Sequence, residues 1–143
     1  MKKLILFLIC ILFICLERDV YAQNDTLRPT AKIYIIRATG LDGTLVNFRV
    51  LIDDEVYCKI SNNRYSVINI RPGKYTFYVT SWAKPKKKKP LGLELEVERG
   101  KTYYLRMVIK DLHYKDPYYF EEITYNSALP LLEKYKEDTD CDN

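Results

Sequence analysis

Leu93-Glu94-Leu95-Glu96-Val97-Glu98 decides the fold. Apolar and acidic residues alternate with period two, which sends each leucine and valine to one face of an extended strand and each glutamate to the other. A helix would scatter the glutamates around its circumference. The apolar face needs a cover and the acidic face needs water, so the segment reads as part of a sheet buried on one side.

The same period extends in both directions. Downstream, Tyr103, Leu105, Met107 and Ile109 alternate with Tyr104, Arg106 and Val108, and Arg99-Gly100 reads as the turn of a hairpin between the two strands. Glu96 and Arg106 would then pair across it. Upstream, Tyr75, Phe77 and Val79 alternate with Thr76, Tyr78 and Thr80 behind Pro72-Gly73, a turn with positive φ expected at the glycine. Phe48, Val50 and Ile52 lead through Asp53-Asp54 into Val56, Cys58 and Ile60 on one strand face. Asn62-Asn63 offers the next reversal, into a strand from Arg64 to Ile70. Short alternations broken by turn residues every eight to twelve positions or so predict an all-β fold. We expect an antiparallel β-sandwich of about seven to eight strands with one short C-terminal α-helix. That helix is signalled by Ala128, Leu131, Leu132 and Tyr135 at helical spacing, with Ser127 as N-cap and Pro130 in the first turn.

The N-terminus reads as an address. Lys2 and Lys3 precede an apolar run from Leu4 to Leu16, and Val20-Tyr21-Ala22 ends on a small residue before Gln23. This is the pattern of a secretory signal peptide over residues 1–22, and the run is shorter than the roughly 17–25 residues of a membrane span. Residues 23–30 read as a linker, 31–136 as one domain and 137–143 as a disordered acidic tail. The chain's net charge of +4 falls to +3 once three basic and two acidic residues leave with the signal. Such a mild balance gives no footprint for nucleic acid. Tyrosine stands out with 13 copies, which suits half-buried strands whose rings pack while their hydroxyls reach water.

Cys58 and Cys141 remain after the signal, and export to an oxidising compartment permits a bond between them. The strand pattern around Cys58 reads as a buried, inert thiol, and the tail around Cys141 as mobile.

Four segments together carry a family resemblance: Ala31-Lys32-Ile33-Tyr34-Ile35-Ile36-Arg37, Arg71-Pro72-Gly73-Lys74-Tyr75-Thr76, Glu98-Arg99-Gly100-Lys101-Thr102-Tyr103-Tyr104-Leu105-Arg106 and Ser127-Ala128-Leu129-Pro130-Leu131-Leu132. Over about residues 31–136 the chain resembles the domain of unknown function 2846 family. The resemblance implies a small exported bacterial domain, often lipid-anchored, with a β-sandwich similar to PEGA and carboxypeptidase regulatory-like modules. It implies no activity. Cys10 and Cys15 follow bulky isoleucines, so a good lipidation signal is missing.

Catalytic chemistry finds little to use. The chain's one histidine, His113, sits in a polar loop, and no zinc spacing, phosphate cradle or nucleophile elbow is present. Glu94, Glu96 and Glu98 lie on what should be the wet face, while Glu121-Glu122 and Asp53-Asp54-Glu55 are explained by strand and turn chemistry. The acidic tail lacks a glycine to fold a calcium loop. We expect no enzyme, no cofactor and no metal. The strongest binding candidate is the run Trp82-Ala83-Lys84-Pro85-Lys86-Lys87-Lys88-Lys89-Pro90, with five lysines in nine positions. The expected function is binding or scaffolding in the cell envelope by a periplasmic or secreted domain, its partner an envelope protein or glycan. The alternatives are attachment to an anionic membrane surface, lipopolysaccharide or acidic glycan through Trp82, Lys84, Lys86, Lys87, Lys88 and Lys89, or carboxylate-dependent glycan hydrolysis.

Overall fold

The computed structural model describes residues 30–81, 91–110 and 118–141. Among the described residues nine strands form: β1 Ala31–Arg37, β2 Phe48–Ile52, β3 Glu55–Ile60, β4 Arg64–Ile70, β5 Gly73–Thr80, β6 Leu93–Val97, β7 Thr102–Ile109, β8 Tyr118–Ile123 and β9 Lys136–Glu137. They divide into a five-stranded sheet ordered β8-β7-β1-β4-β9 and a four-stranded sheet ordered β3-β2-β5-β6. The pairing is mostly antiparallel, as expected for a sandwich. The exceptions are β1 beside β7 and β4 beside β9, which run parallel.

The core lies between the sheets. Ile33, Ile35, Ile68, Leu105 and Met107 of the first sheet meet Phe48, Val50, Phe77, Val79 and Val97 of the second, all buried in one cluster. These are the alternating positions of their strands, so the period read from sequence is the period that packs. Asp53 and Asp54 both take positive φ, 50° and 72°, and turn β2 into β3 as a tight hairpin. The Asp53 carboxylate also accepts the Thr76 N–H at 2.8 Å, tying that turn to β5.

Arg99-Gly100 is not a hairpin turn. It carries the chain from β6 in one sheet to β7 in the other, so Glu96 and Arg106 never face each other. Glu96 instead lies 4.0 Å from Lys74 on β5, and Arg106 pairs with Glu121 across the β7–β8 ladder. The reason is burial: Leu95 and Val97 on one strand and Tyr103 and Leu105 on the next cover the same core from opposite sides. Pro72 makes a second such crossing, and Gly73 opens β5 without positive φ.

A bulge corrects the face assigned to Val56. Val50 pairs with Cys58 but Leu51 pairs with Val56, leaving Tyr57 as the extra residue. Cys58 and Ile60 therefore point inward while Val56 is 49% exposed.

The C-terminal segment wraps the sandwich. Helix α1, Tyr125–Lys134, is capped by Thr124, whose hydroxyl accepts the Ser127 N–H at 3.3 Å. The cap thus sits three residues before the expected Ser127, and Pro130 falls inside the helix rather than in its first turn. Because β8 and β9 occupy opposite edges of the five-stranded sheet, α1 has to cross that sheet. Tyr125 meets Tyr104 at 5.8 Å between ring centres, which puts the crossing on the outer face. There Tyr34 stacks on Tyr104 at 5.1 Å and approaches Tyr65 at 6.2 Å, and Ala128 of the helix is fully buried. Several of the many tyrosines are therefore packing residues.

The tail beyond α1 is ordered as far as Cys141, contrary to the expectation of a mobile one. β9 adds to β4, and a 3-10 turn over Thr139–Cys141 delivers Cys141 to Cys58, with 5.0 Å between the Cα atoms. The pair is a disulfide joining the tail to the second sheet, and Cys141 is only 2% exposed. Asp138 secures the approach: its carboxylate accepts the Ser61 N–H at 2.9 Å, and its carbonyl oxygen accepts from the Ser66 hydroxyl at 2.7 Å.

Candidate functional site

Strand registers bring several connections to one end of the sandwich. Arg37 pairs with Arg64, Phe48 with Ile60, Arg49 with Thr80 and Ile109 with Tyr118. The segments following β1, β3, β5 and β7 therefore all leave from this end.

Its organiser is a residue that the sequence reading passed over. Arg37 continues the inward-facing series Ala31, Ile33 and Ile35 and is 1% exposed. A buried guanidinium is tolerable only when it is hydrogen-bonded. One amino group donates to the carbonyl oxygen of Ile60 at 2.8 Å and the other to that of Gly43 at 2.7 Å, while the guanidinium carbon lies 4.5 Å from the centre of the Phe48 ring. Burial pushes its pKa down from the ordinary arginine value.

Through Gly43, Arg37 holds the loop of residues 38–47. Asn62 grips the same loop from the β3–β4 turn: its amide donates to the Gly40 carbonyl oxygen at 2.8 Å and its side-chain oxygen accepts from Thr39 at 2.9 Å. Inside the loop, Thr44 donates to the Leu41 carbonyl oxygen at 2.6 Å and the Val46 N–H to that of Gly43 at 2.9 Å. Gly40 and Gly43 take positive φ, 63° and 67°. What this bracing displays is apolar: Leu41 is 92% exposed and Leu45 is 99% exposed. Leu91, two residues before β6, is 60% exposed.

A single exposed leucine is ordinary on a protein surface. Two on a loop fixed by a buried arginine and a gripping asparagine are different, because the ordering cost of an interface has already been met in folding. In sequence the clue to Arg37 was its place in the period-two series. Leu41 and Leu45 left no such signal, since exposure in a loop has no period.

The binding residues expected from sequence, Trp82, Lys84, Lys86, Lys87, Lys88 and Lys89, lie outside the described residues, as does His113. Their flanks are described: Thr80 stands at the loop end beside Arg49, whereas Leu93 pairs with Phe77, level with Ile52 at the far end of β2. The carboxylates separate. Glu94, Glu96 and Glu98 are exposed along β6 and its end, where Glu98 accepts from Lys101 at 2.6 Å. Glu121 is held by Arg106, with 2.7 Å from Nε. Among the described residues no group of three or more potential ligands is placed to hold a metal ion. The described residues also contain no helix long and apolar enough to cross a membrane.

Residues 28–118 match the family model described as protein of unknown function (DUF2846). The chain belongs to this family. No curated protein matches it. The DUF2846 match stops at the first residue of β8, short of the span to residue 136 over which the resemblance was drawn. Arg37, the braced loop and the whole leucine end thus fall inside the DUF2846 region, whereas α1, β9 and Cys141 lie beyond it.

Proposed function

We propose that this DUF2846 protein is a non-enzymatic binding domain, exported to the cell envelope, that engages its target through the loop end of the sandwich. The observation that carries this reading is the display of Leu41 and Leu45 on a loop braced by Arg37 and Asn62. Export is supported by the Lys2 to Ala22 pattern, and the Cys58–Cys141 disulfide fits an oxidising compartment. The test is a photo-crosslinking residue placed at Leu45, with Glu133 on the exposed side of α1 as the control position, in cells exporting the chain. An adduct formed from position 45 and not from 133 supports the reading. No adduct from position 45 sinks it.

A second reading gives the binding role to the lysine run, and it is favoured by Thr80, the last residue of β5 before that run, standing at this same end. Changing Lys86 to Lys89 to glutamine should then abolish salt-sensitive binding to anionic vesicles or glycans without loss of folding.

A further inference from the structure

Resting on that binding reading, we infer that the Cys58–Cys141 disulfide is a redox latch on the leucine loop: cleaved by a dithiol, it frees the C-terminal strap and loosens the loop while the sandwich stays folded. The strap is the run from β9 to Cys141. It joins both sheets at the loop end, since Lys136 pairs with Arg64, itself the partner of Arg37, and Cys141 is bonded to Cys58 of β3. Beside the disulfide, β9 pairs only two residues with β4, and Asp138 adds its N–H to the Tyr65 carbonyl oxygen at 2.7 Å and its contacts with Ser61 and Ser66. A ladder that short does not hold a segment in water by itself, so the strap depends on the covalent bond.

The rest of the sandwich pairs without it. The runs β8-β7-β1-β4 and β3-β2-β5-β6 contain no strap residue, and the DUF2846 match ends at residue 118, before the strap begins. Release is therefore the local opening of one short unit. A line of contacts carries it to the loop. The Asp138 carboxylate holds the Ser61 N–H at 2.9 Å, and the next residue, Asn62, grips the Gly40 carbonyl oxygen at 2.8 Å and Thr39 at 2.9 Å. Once the strap leaves, the β3–β4 turn loses this anchor, and Asn62 loses the fixed backbone from which it holds the loop of Leu41 and Leu45.

The bond has an approach. Cys58 and Cys141 are 6% and 2% exposed, but a groove of about 420 Å³ lined by Val56, Tyr57, Cys58, Lys59 and Asp140 runs beside them. A dithiol entering there as its thiolate attacks Cys58 Sγ, and the S–S bond breaks with its electron pair leaving on Cys141 Sγ, which takes a proton. The second thiolate of the dithiol then attacks the reagent sulfur of the mixed disulfide, and Cys58 leaves and is protonated in turn. Two electrons and two protons pass to the protein, and the dithiol departs as a disulfide.

The experiment is amide exchange on the chain as cells export it, its N-terminus defined by intact mass, before and after dithiothreitol, with free thiols counted by mass. Reduction should raise exchange about fivefold or more in residues 136–141 and 38–47, with β1, β5 and β7 unchanged. Asp138→Ala should speed the loop with the disulfide intact. Asn62→Ala should give a loop that is already fast and no longer responds to reduction, which tests the coupling itself. The inference is overturned if dithiothreitol fails to reduce the folded chain, if the loop keeps its protection once both thiols are free, or if all strands lose protection together. The crosslinker at position 45 keeps the two readings apart. Adducts formed equally by the parent and by Cys141→Ser overturn the latch and leave the binding reading standing. A loop that responds to reduction but never crosslinks retains the latch and overturns the binding reading.

Discussion

The Arg37 guanidinium donates to the carbonyl oxygen of Gly43 across 2.7 Å, linking the last residue of β1 to the loop that displays Leu41 and Leu45. The same side chain reaches Ile60 and covers Phe48, so one buried cation joins both sheets at the loop end. Core stability and display of the tip therefore depend on a shared contact.

Replacing Arg37 with leucine should cost about 2–4 kcal/mol, since two carbonyl oxygens lose charge-assisted partners at a buried site. Urea unfolding measures the loss. Amide exchange should rise in residues 38–47 more than in β5, and equal protection in the two regions would show that the loop is held by other means.

Gly43 and Gly40 separate two effects of adding a methyl group. Both have positive φ, but a Cβ at Gly43 would lie 3.1 Å from the Phe48 ring whereas one at Gly40 meets nothing within 4 Å. Gly40→Ala should cost about 1 kcal/mol from backbone conformation. Gly43→Ala should cost about 1–3 kcal/mol more from overpacking. Thermal unfolding of the two variants gives the difference, and equal losses would mean that the ring moves aside freely.

The disulfide closes a sequence separation of 83 residues, for which the chain-entropy model gives about 4–5 kcal/mol of stabilisation. Cys141→Ser, or reduction of the parent protein, should lower the urea midpoint to a similar extent. A midpoint insensitive to reductant would show that the tail contributes little once the sheets have formed.

Asp138 makes acid a test of the same tail. Burial pushes its pKa up, but the N–H groups of Ser61 and Asp140 and the charge of Arg64 outweigh it and hold the carboxyl below its ordinary value. A depressed folded value means stability that is present above the unfolded pKa and is lost as pH falls through the folded one. Asp138→Asn should therefore be less stable than the parent near neutrality, and the gap should narrow on acidification below the usual aspartate value. Urea midpoints along a pH series check this; a gap that stays constant with pH would assign the loss to geometry.

The strands were legible because alternation is a local property. Leu95 and Val97, or Phe77 and Val79, are inward wherever their strand is placed. Tyr118–Ile123 was missed as a strand: Tyr118, Tyr119 and Phe120 run together, so the period is blurred, and only the richness in aromatic residues hinted at it. Of the site, Arg37 was readable from its position in β1, while the exposure of Leu41 and Leu45 follows from contacts with Asn62 and Arg37 that no local pattern encodes.

By itself the amino-acid sequence determined that the chain is built of strands, and which side of most of them is apolar, because the two-residue repeat acts on each segment alone. Tertiary structure decided how those segments were shared between two sheets. Arg99-Gly100 satisfies a hairpin and a sheet crossing equally well, and covering the common core selects the crossing. The folded chain alone also brings Cys141 to Cys58 and leaves two leucines in water, since both outcomes depend on residues far apart in sequence meeting in space.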